Sequence, residues 1–192
     1  MATILLVCTG NICRSPMAEG LLRQFLAERG VDEIVVESAG VSGWEGSTAT
    51  ADAVRAVREL GIDIARHEAR RLSQSQVESA DLVVALAAEH RDAVVRVHPP
   101  AEPKTFTLKE LVHLLRRLHP PGDSRPAGKL QAAVAMAQQL RSEGTERPVG
   151  EDVADPLGLG LDSYRATAWE LEALCRQFVD LVFGEVTAGR RA

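Results

Sequence analysis

The stretch ILLVCTGNICRSPMAEG, residues 4–20, indicates both the fold and the place to look for chemistry. It opens with a continuous apolar run, which is typical of a strand buried on both faces of a parallel sheet. Residues 15–30 then carry apolar side chains at helical spacing, and Pro16 suits the first turn of a helix. The stretch therefore predicts a strand, a loop and a helix, with Cys8 where the strand stops and Arg14 at the far end of the loop.

The rest of the chain alternates between strand-like and helix-like segments. Further strands are predicted at 33–40, 80–87 and 104–108, and helices at 50–62, 73–79, 89–97, 109–118, 129–144 and 163–184. Turn residues predict a break at 119–128 and a loop at 145–160, and the tail 185–192 is predicted to fray. This alternation predicts an α/β fold of three layers, with a four-stranded parallel sheet flanked by helices. We expect a single domain over residues 1–192, with a helical insertion at about 119–150.

Composition argues against several classes of function. The chain has 192 residues, a formal net charge of −5, three cysteines and five histidines. A protein that binds nucleic acid usually has a basic excess, so no nucleic-acid partner is expected. The cysteines are too few for a disulfide framework, and the histidines show no spacing typical of metal ligands. With no signal-peptide pattern and no apolar run near the ~20 residues of a membrane span, we expect a cytoplasmic protein with no membrane partner.

The loop that follows Cys8 has the composition of an anion site. A loop from strand to helix presents backbone N–H groups at the positive end of the helix dipole, which favours a bound phosphate and a cysteine thiolate. Arg14 adds a positive charge and a planar fork that can hold two phosphate oxygens. Gly10 and Asn11 suit unusual backbone angles, and Ser15 can donate a hydrogen bond to the thiolate. We therefore predict that the thiolate attacks a phosphate held by the arginine and the loop amides, with neither a metal nor another cofactor.

The segment VCTGNICRSPMAEG, residues 7–20, is similar to the signature of the low-molecular-weight protein tyrosine phosphatases. The resemblance covers most of residues 1–115 and 150–183. It extends to VESAGVSGW at 36–44, GIDIARHEARRLS at 61–73, ADLVVAL at 80–86 and VADPLGLGLDSYRATAWELEAL at 153–174. It implies hydrolysis of protein phosphotyrosine through a phosphocysteine intermediate.

Three further residues gain a role from the resemblance. Asp155 next to Pro156 indicates only a turn by itself, but the resemblance implies a general acid that protonates the leaving phenolate and then activates water. Cys13 fits a small loop filler as well as a redox role, and the resemblance supports a disulfide that traps oxidised Cys8. The resemblance also implies that Trp44 walls the crevice and stacks on the substrate ring.

Two positions depart from the family pattern. Leu157 stands where the family usually has an aromatic residue, and Ala87 stands where the third strand usually ends in aspartate. Ile12, at the rim of the loop, favours phosphotyrosine, because the arginine-phosphatase branch typically carries threonine there.

Cys175 lies on the apolar stripe of the last helix and is predicted to belong to the core.

The predicted site has a catalytic set and a binding set. The catalytic residues are Cys8, Arg14 and Asp155, and the residues that bind phosphate or substrate are Thr9, Gly10, Asn11, Ile12, Cys13, Ser15 and Trp44. The expected partner is a phosphotyrosine protein, with a bacterial-type tyrosine kinase as a candidate, and the chain is expected to be a monomer or weak dimer.

Four alternatives are weighed against phosphotyrosine hydrolysis. An arsenate reductase with a small-thiol partner and a protein-arginine phosphatase stay open at this point. Thioredoxin-dependent reductases are disfavoured because residues 80–100 contain no cysteine to relay oxidation. A non-catalytic phosphate-binding module is disfavoured because it needs neither the thiol nor the acid.

Overall fold

A four-stranded parallel sheet forms the centre of the structure. The computed structural model describes residues 1–118 and 125–184. The strand order is β2-β1-β3-β4, and the strands are β1 Ala2–Cys8, β2 Ile34–Gly40, β3 Leu82–Ala85 and β4 Thr105–Thr107. Each neighbouring pair is parallel, with Cys8 beside Gly40 and Val7 beside Ala85. The predicted sheet is confirmed.

Helices cover the sheet on both sides, as the alternating pattern predicts. They are α1 Arg14–Ala27, α2 Ala51–Arg58, α3 Gln74–Ser79, α4 Ala88–Val97, α5 Leu108–Leu115, α6 Pro126–Ser142 and α7 Leu161–Phe183, with a short 3₁₀ helix at Pro99–Lys104. Capping boxes explain two of the starts, since Ser73 and Thr107 each form one with the residue three positions on, and the Thr50 side chain caps α2 by accepting the N–H of Ala53.

Helix α6 begins earlier than the sequence predicts. The predicted break extends to residue 128, whereas the helix already starts at Pro126, so the break is wrong for its last three residues. The physical reason is that proline is tolerated at the first helical position, where its missing N–H would have no partner in any case. Residues 119–124 of the break, and the predicted frayed tail at 185–192, lie outside the described residues.

Strand β1 is buried on both faces, which explains its unbroken apolar sequence. Ile4, Leu6 and Cys8 belong to the large core shared with α1, α5 and α7. Leu5 and Val7 face the other way, into a smaller core that includes residues of β3 and α4. Because alternate residues point to opposite faces, the thiol of Cys8 lies at the carboxyl edge of the sheet on the side of α1.

The last helix completes the large core. Cys175 on α7 is fully buried in this core, as predicted, and its burial raises the pKa of the thiol. Helix α7 packs against α1, α2, α5 and α6. Within the part of the chain that the structure describes, no helix combines the length and the apolar character needed to cross a membrane.

Candidate active site

The loop between β1 and α1 is held in place by the side chain of Asn11. This residue is fully buried and has a φ of 57°, in the left-handed region that asparagine tolerates better than most residues. Its Nδ2 donates to Ser15 Oγ and Ser38 Oγ at 2.8 Å, and its Oδ1 accepts the N–H of Arg70 at 2.8 Å. The predicted unusual angle is confirmed here but is wrong for Gly10, which lies outside that region. Close packing favours glycine there, since an added Cβ would lie 3.3 Å from the side chain two residues further along the loop.

The thiol of Cys8 lies at the floor of this loop, within reach of two hydrogen-bond donors. The backbone N–H of Asn11 donates to Sγ at 3.3 Å, and Ser15 Oγ lies 3.0 Å from Sγ. Because Ser15 Oγ already accepts a hydrogen bond from Asn11 Nδ2, its own hydrogen is free to point at the sulfur. The structure thus places Ser15 beside the thiol, where both contacts favour a negatively charged sulfur, and the role of Ser15 in catalysis stays a prediction.

The fold brings Arg14 to Asp155, which lies 141 residues away in the sequence. Arg14 is 4% exposed, and its Nη2 donates to Asp155 Oδ2 at 2.6 Å and to Thr9 Oγ1 at 3.2 Å. Its Nη1 donates to the carbonyl oxygen of Val153 at 3.2 Å. The guanidinium is therefore fixed beside the Cys8 loop, and the Asp155 carboxyl stands at the same opening.

The segment that carries Asp155 is anchored to the residues after β3 on one side of the acid and forms a local turn on the other. The N–H of Val153 donates to the carbonyl oxygen of Leu86 at 2.8 Å, and Asp152 Oδ1 accepts the N–H of Ala88 at 2.7 Å. On the other side, Asp155 Oδ1 accepts the N–H of Leu157 at 3.1 Å. The acid is thus held against the carboxyl edge of β3, next to the end of β1.

A small pocket of about 80 Å³ joins most of the predicted site residues. Trp44 and Leu157 form its exposed apolar rim, with 53% and 45% of their surfaces accessible. Its lining consists of Cys8, Thr9, Gly10, Ile12, Cys13, Arg14, Trp44, Asp155 and Leu157. Asn11 and Ser15 support the loop from behind, and Ala87 caps α4 rather than lining the pocket. The pocket is narrow and has one aromatic wall.

Cys13 is in the same pocket lining, on the side of α7. Its Sγ lies 3.5 Å from Thr50 Oγ1 and 3.6 Å from the hydroxyl of Tyr164. Burial raises the pKa of Cys13, and this outweighs the two hydrogen bonds, which lower it. Cys8 and Cys13 are both free thiols in the structure, so the trapped disulfide stays a prediction.

Two histidines that the sequence does not single out contact the loop. His67 Nε2 donates to the carbonyl oxygen of Asn11 at 2.8 Å, and His90 Nε2 lies 2.9 Å from Thr9 Oγ1. No local signal marks either residue, because the contacts join positions 56 and 81 residues apart. A larger groove of about 740 Å³ runs along α1 past His67, but Cys8 is absent from its lining.

Comparison with known proteins places this geometry in a family. The model of the low molecular weight phosphotyrosine protein phosphatase family matches residues 3–120. A protein-arginine-phosphatase from Geobacillus stearothermophilus is 35% identical over 171 residues, which cover 89% of this chain and 89% of that protein. A probable low molecular weight protein-tyrosine-phosphatase, EpsP from Ralstonia solanacearum, is 42% identical over 109 residues, or 57% of this chain and 72% of that protein.

A solved structure shares the fold over nearly the full length. It is the YwlE arginine phosphatase, in a mutant form with a phosphorylated active-site serine. The TM-score is 0.71 at 32% sequence identity, and the match covers 93% of each chain.

Proposed function

The chain belongs to the low-molecular-weight protein tyrosine phosphatase family, and on this basis we propose that it hydrolyses phosphotyrosine on proteins through a phosphocysteine intermediate. The observation that carries the proposal is the meeting of three groups at one pocket. Cys8, Arg14 and Asp155 all line the same small opening, although Asp155 lies 141 residues from the arginine. A thiolate, a fixed guanidinium and a carboxyl are the groups that metal-free phosphoryl transfer to a cysteine requires.

In the first step, the Cys8 thiolate attacks the phosphorus of the bound substrate. A P–S bond forms, the bond to the phenolic oxygen breaks, and Asp155 in its protonated form donates a proton to that oxygen. Arg14 and the backbone N–H groups of residues 9–15 hold the equatorial oxygens, where negative charge develops. The Ser15 hydroxyl stabilises the thiolate before attack and after release.

In the second step, water hydrolyses the phosphocysteine. Asp155, now ionised, takes a proton from the water as its oxygen attacks phosphorus, and the P–S bond breaks to return the Cys8 thiolate. The mutant relative with a phosphorylated active-site serine supports covalent transfer to the corresponding position.

The ion pair between Arg14 and Asp155 has a consequence for binding. Arg14 Nη2 contacts the Asp155 carboxyl in the structure, so the guanidinium has to exchange this carboxylate for phosphate oxygens when substrate arrives. That exchange frees Asp155 for proton transfer, because its partner is then occupied by the phosphate. The side chain of Asp155 is 42% exposed, which leaves room for this movement.

A second candidate substrate is phosphoarginine. It is favoured by the arginine phosphatase relative, which matches 89% of this chain, whereas EpsP matches 57%. Phosphoarginine as a substrate is also compatible with Leu157 at the rim of the pocket, because a guanidinium group does not need a second aromatic wall. Ile12 argues for phosphotyrosine, since its apolar side chain in the pocket lining offers no hydroxyl to a guanidinium.

One assay separates these candidates. Peptides that carry phosphotyrosine, phosphoserine or phosphoarginine are compared side by side, with a fourth reaction that contains arsenate and a small thiol. The proposal expects phosphate release to be fastest from phosphotyrosine and unaffected by EDTA. Faster release from phosphoarginine would assign the second candidate, and arsenate-dependent thiol consumption without phosphatase activity would assign a reductase.

We also propose that residues 119–150 are a helical insertion in a single phosphatase domain. The family model stops matching at residue 120, which supports this boundary. Helix α6 packs on α5, on α7 and on the 3₁₀ helix at Pro99–Lys104. Arg141 on α6 donates to the carbonyl oxygens of Thr105 and Glu102, at 2.8 and 2.7 Å, and so fastens the helix to β4 and the segment before it.

The partner assignments rest on the same family membership. A phosphoprotein substrate is supported by the names of the relatives, and a bacterial-type tyrosine kinase stays a candidate among such substrates. A monomer or weak dimer in the cytoplasm stays a prediction, which light scattering and cell fractionation would check.

A further inference from the structure

His90 is a buried imidazole that none of the catalytic steps above uses. It lies on the first turn of α4, only 2% of its surface is accessible, and its Nε2 lies 2.9 Å from Thr9 Oγ1. Among the described residues, its Nδ1 is buried without a hydrogen-bond partner. Because this imidazole contacts the Cys8 loop, the ring nitrogen that carries its proton affects the hydrogen bonding of the loop.

Two observations place that proton on Nε2. If Nδ1 carried it, a buried N–H would be left without an acceptor, which is costlier and rarer than an unpaired acceptor. In addition, Glu89 Oε1 lies 3.4 Å from Nε2, and a lone pair on Nε2 would face this carboxylate unfavourably. The pKa of His90 is lowered to about 4, mainly by burial and to a lesser extent by the positive charge of Arg14. The negative charges of Asp155 and Asp152 oppose this shift but are outweighed. The ring is therefore neutral and carries one proton.

The hydroxyl of Thr9 then receives two hydrogen bonds. His90 Nε2 donates to Thr9 Oγ1 at 2.9 Å, and Arg14 Nη2 donates to the same oxygen at 3.2 Å. A hydroxyl has two lone pairs and one hydrogen, so both acceptor positions are filled and the hydrogen has to point elsewhere. Thr9 lines the Cys8 pocket, which is where an oxyanion acceptor would be.

We propose that His90 is a positioning residue that turns the Thr9 hydroxyl into a dedicated hydrogen-bond donor to an oxyanion in the Cys8 pocket. This inference rests on the proposed function and adds one side-chain donor to the loop amides and Arg14. With the opposite tautomer, the hydroxyl would donate to His90 and have no hydrogen left for the anion. The Nε2 proton of His90 does not move during the reaction, because it only fixes which way Thr9 points.

Four variants test the proposal through inorganic phosphate affinity by calorimetry and kcat/KM for p-nitrophenyl phosphate. Thr9→Val removes the donor, and His90→Leu removes the group that orients it. Each variant is expected to weaken phosphate binding and to lower kcat/KM by about ten- to hundredfold. This is the fold-change that corresponds to the loss of one hydrogen bond to a charged group. His90→Gln places an N–H where Nε2 lies and is expected to recover most of the loss, whereas His90→Asn, whose amide reaches only to Nδ1, is not.

A double variant distinguishes positioning from packing. If His90 acts through Thr9, then His90→Leu combined with Thr9→Val is no worse than Thr9→Val alone. Additive losses, or a glutamine variant as impaired as the leucine variant, would overturn the proposal.

A second measurement does not depend on turnover or on any variant's activity. Long-range ¹H–¹⁵N spectra of the wild-type protein report which ring nitrogen is protonated, and the His90 signals are identified by their loss in His90→Gln. The proposal predicts protonation at Nε2, and protonation at Nδ1 would overturn it. Because phosphate affinity and the tautomer are read without a substrate, a failure here is distinct from a failure of the proposed phosphatase activity.

Discussion

Replacing Gly40 by alanine tests whether the Cys8 loop, between β1 and α1, has to be held in one position. Gly40 is the last residue of β2 and lies beside Cys8 in the sheet. A Cβ at this position would lie 2.7 Å from the carbonyl oxygen of Thr9 and 2.8 Å from the nitrogen of Asn11. These are backbone atoms, so no side chain can rotate to relieve the clash and the loop itself has to move.

The size of that movement sets the expected loss. Restoring ordinary contact of 3.4 Å from 2.7 Å requires the loop backbone to shift by about 0.7 Å. A shift of this order misplaces the donors around Cys8, and such misplacement costs roughly ten- to a hundredfold in rate. We therefore expect kcat/KM for p-nitrophenyl phosphate to fall by about that factor, with a loss of roughly 1–3 kcal/mol in the free energy of unfolding from overpacking.

The matched control is Gly160→Ala. Gly160 caps α7 with a φ of −74°, and an added Cβ would meet nothing within 4 Å. This variant is expected to keep kcat/KM within about twofold of the wild type, as for a surface substitution. A folded Gly40→Ala protein, verified by circular dichroism, with wild-type kcat/KM would refute the idea that the loop works only in the observed position.

Two further substitutions test the acid and the rim of the pocket. Asp155→Asn removes the proton donor, so kcat is expected to fall most for aryl phosphates with poor leaving groups, and equal losses across a leaving-group series would count against proton donation. Leu157→Tyr adds a second aromatic wall beside Trp44, so KM for a phosphotyrosine peptide is expected to fall by about two- to tenfold. An unchanged KM, with KM for a phosphoserine peptide as the control, would contradict the role assigned to this rim.

Much of the fold follows from local sequence patterns. The predicted strand, loop and helix around Cys8 are confirmed. They could be predicted because they depend only on local properties, namely the length of the apolar run, the cysteine at its end and the helical spacing that follows. The placement of Asp155 beside Arg14 came from the family resemblance, since the Asp-Pro pair alone indicates only a turn. The start of α6 shows the limit of turn residues as signals, because Pro126 lies inside the helix.

The support around the loop is the part that the sequence does not reveal. The Asn11 side chain forms hydrogen bonds with Ser38 on β2, 27 residues away, and with the N–H of Arg70, 59 residues away. The carbonyl oxygen of Asn11 accepts a hydrogen bond from His67, 56 residues away. These contacts depend on β2 lying beside β1 and on the segment before α3 bridging to the end of β2 at Gly40, so that both meet the loop at the carboxyl end of β1. Strand order is a property of the whole fold, and no spacing within a single segment encodes it.

Alkylation of the cysteines at pH 7 tests the central claim most directly. Iodoacetamide reacts with thiolates, and mass spectrometry reads the extent of modification at each of the three cysteines separately. We predict that Cys8 is modified first and is protected by inorganic phosphate, while Cys13, whose pKa is raised by burial, stays unmodified. Labelling of Cys8 no faster than that of Cys13, or labelling that phosphate does not slow, would contradict a charged nucleophile in an anion site.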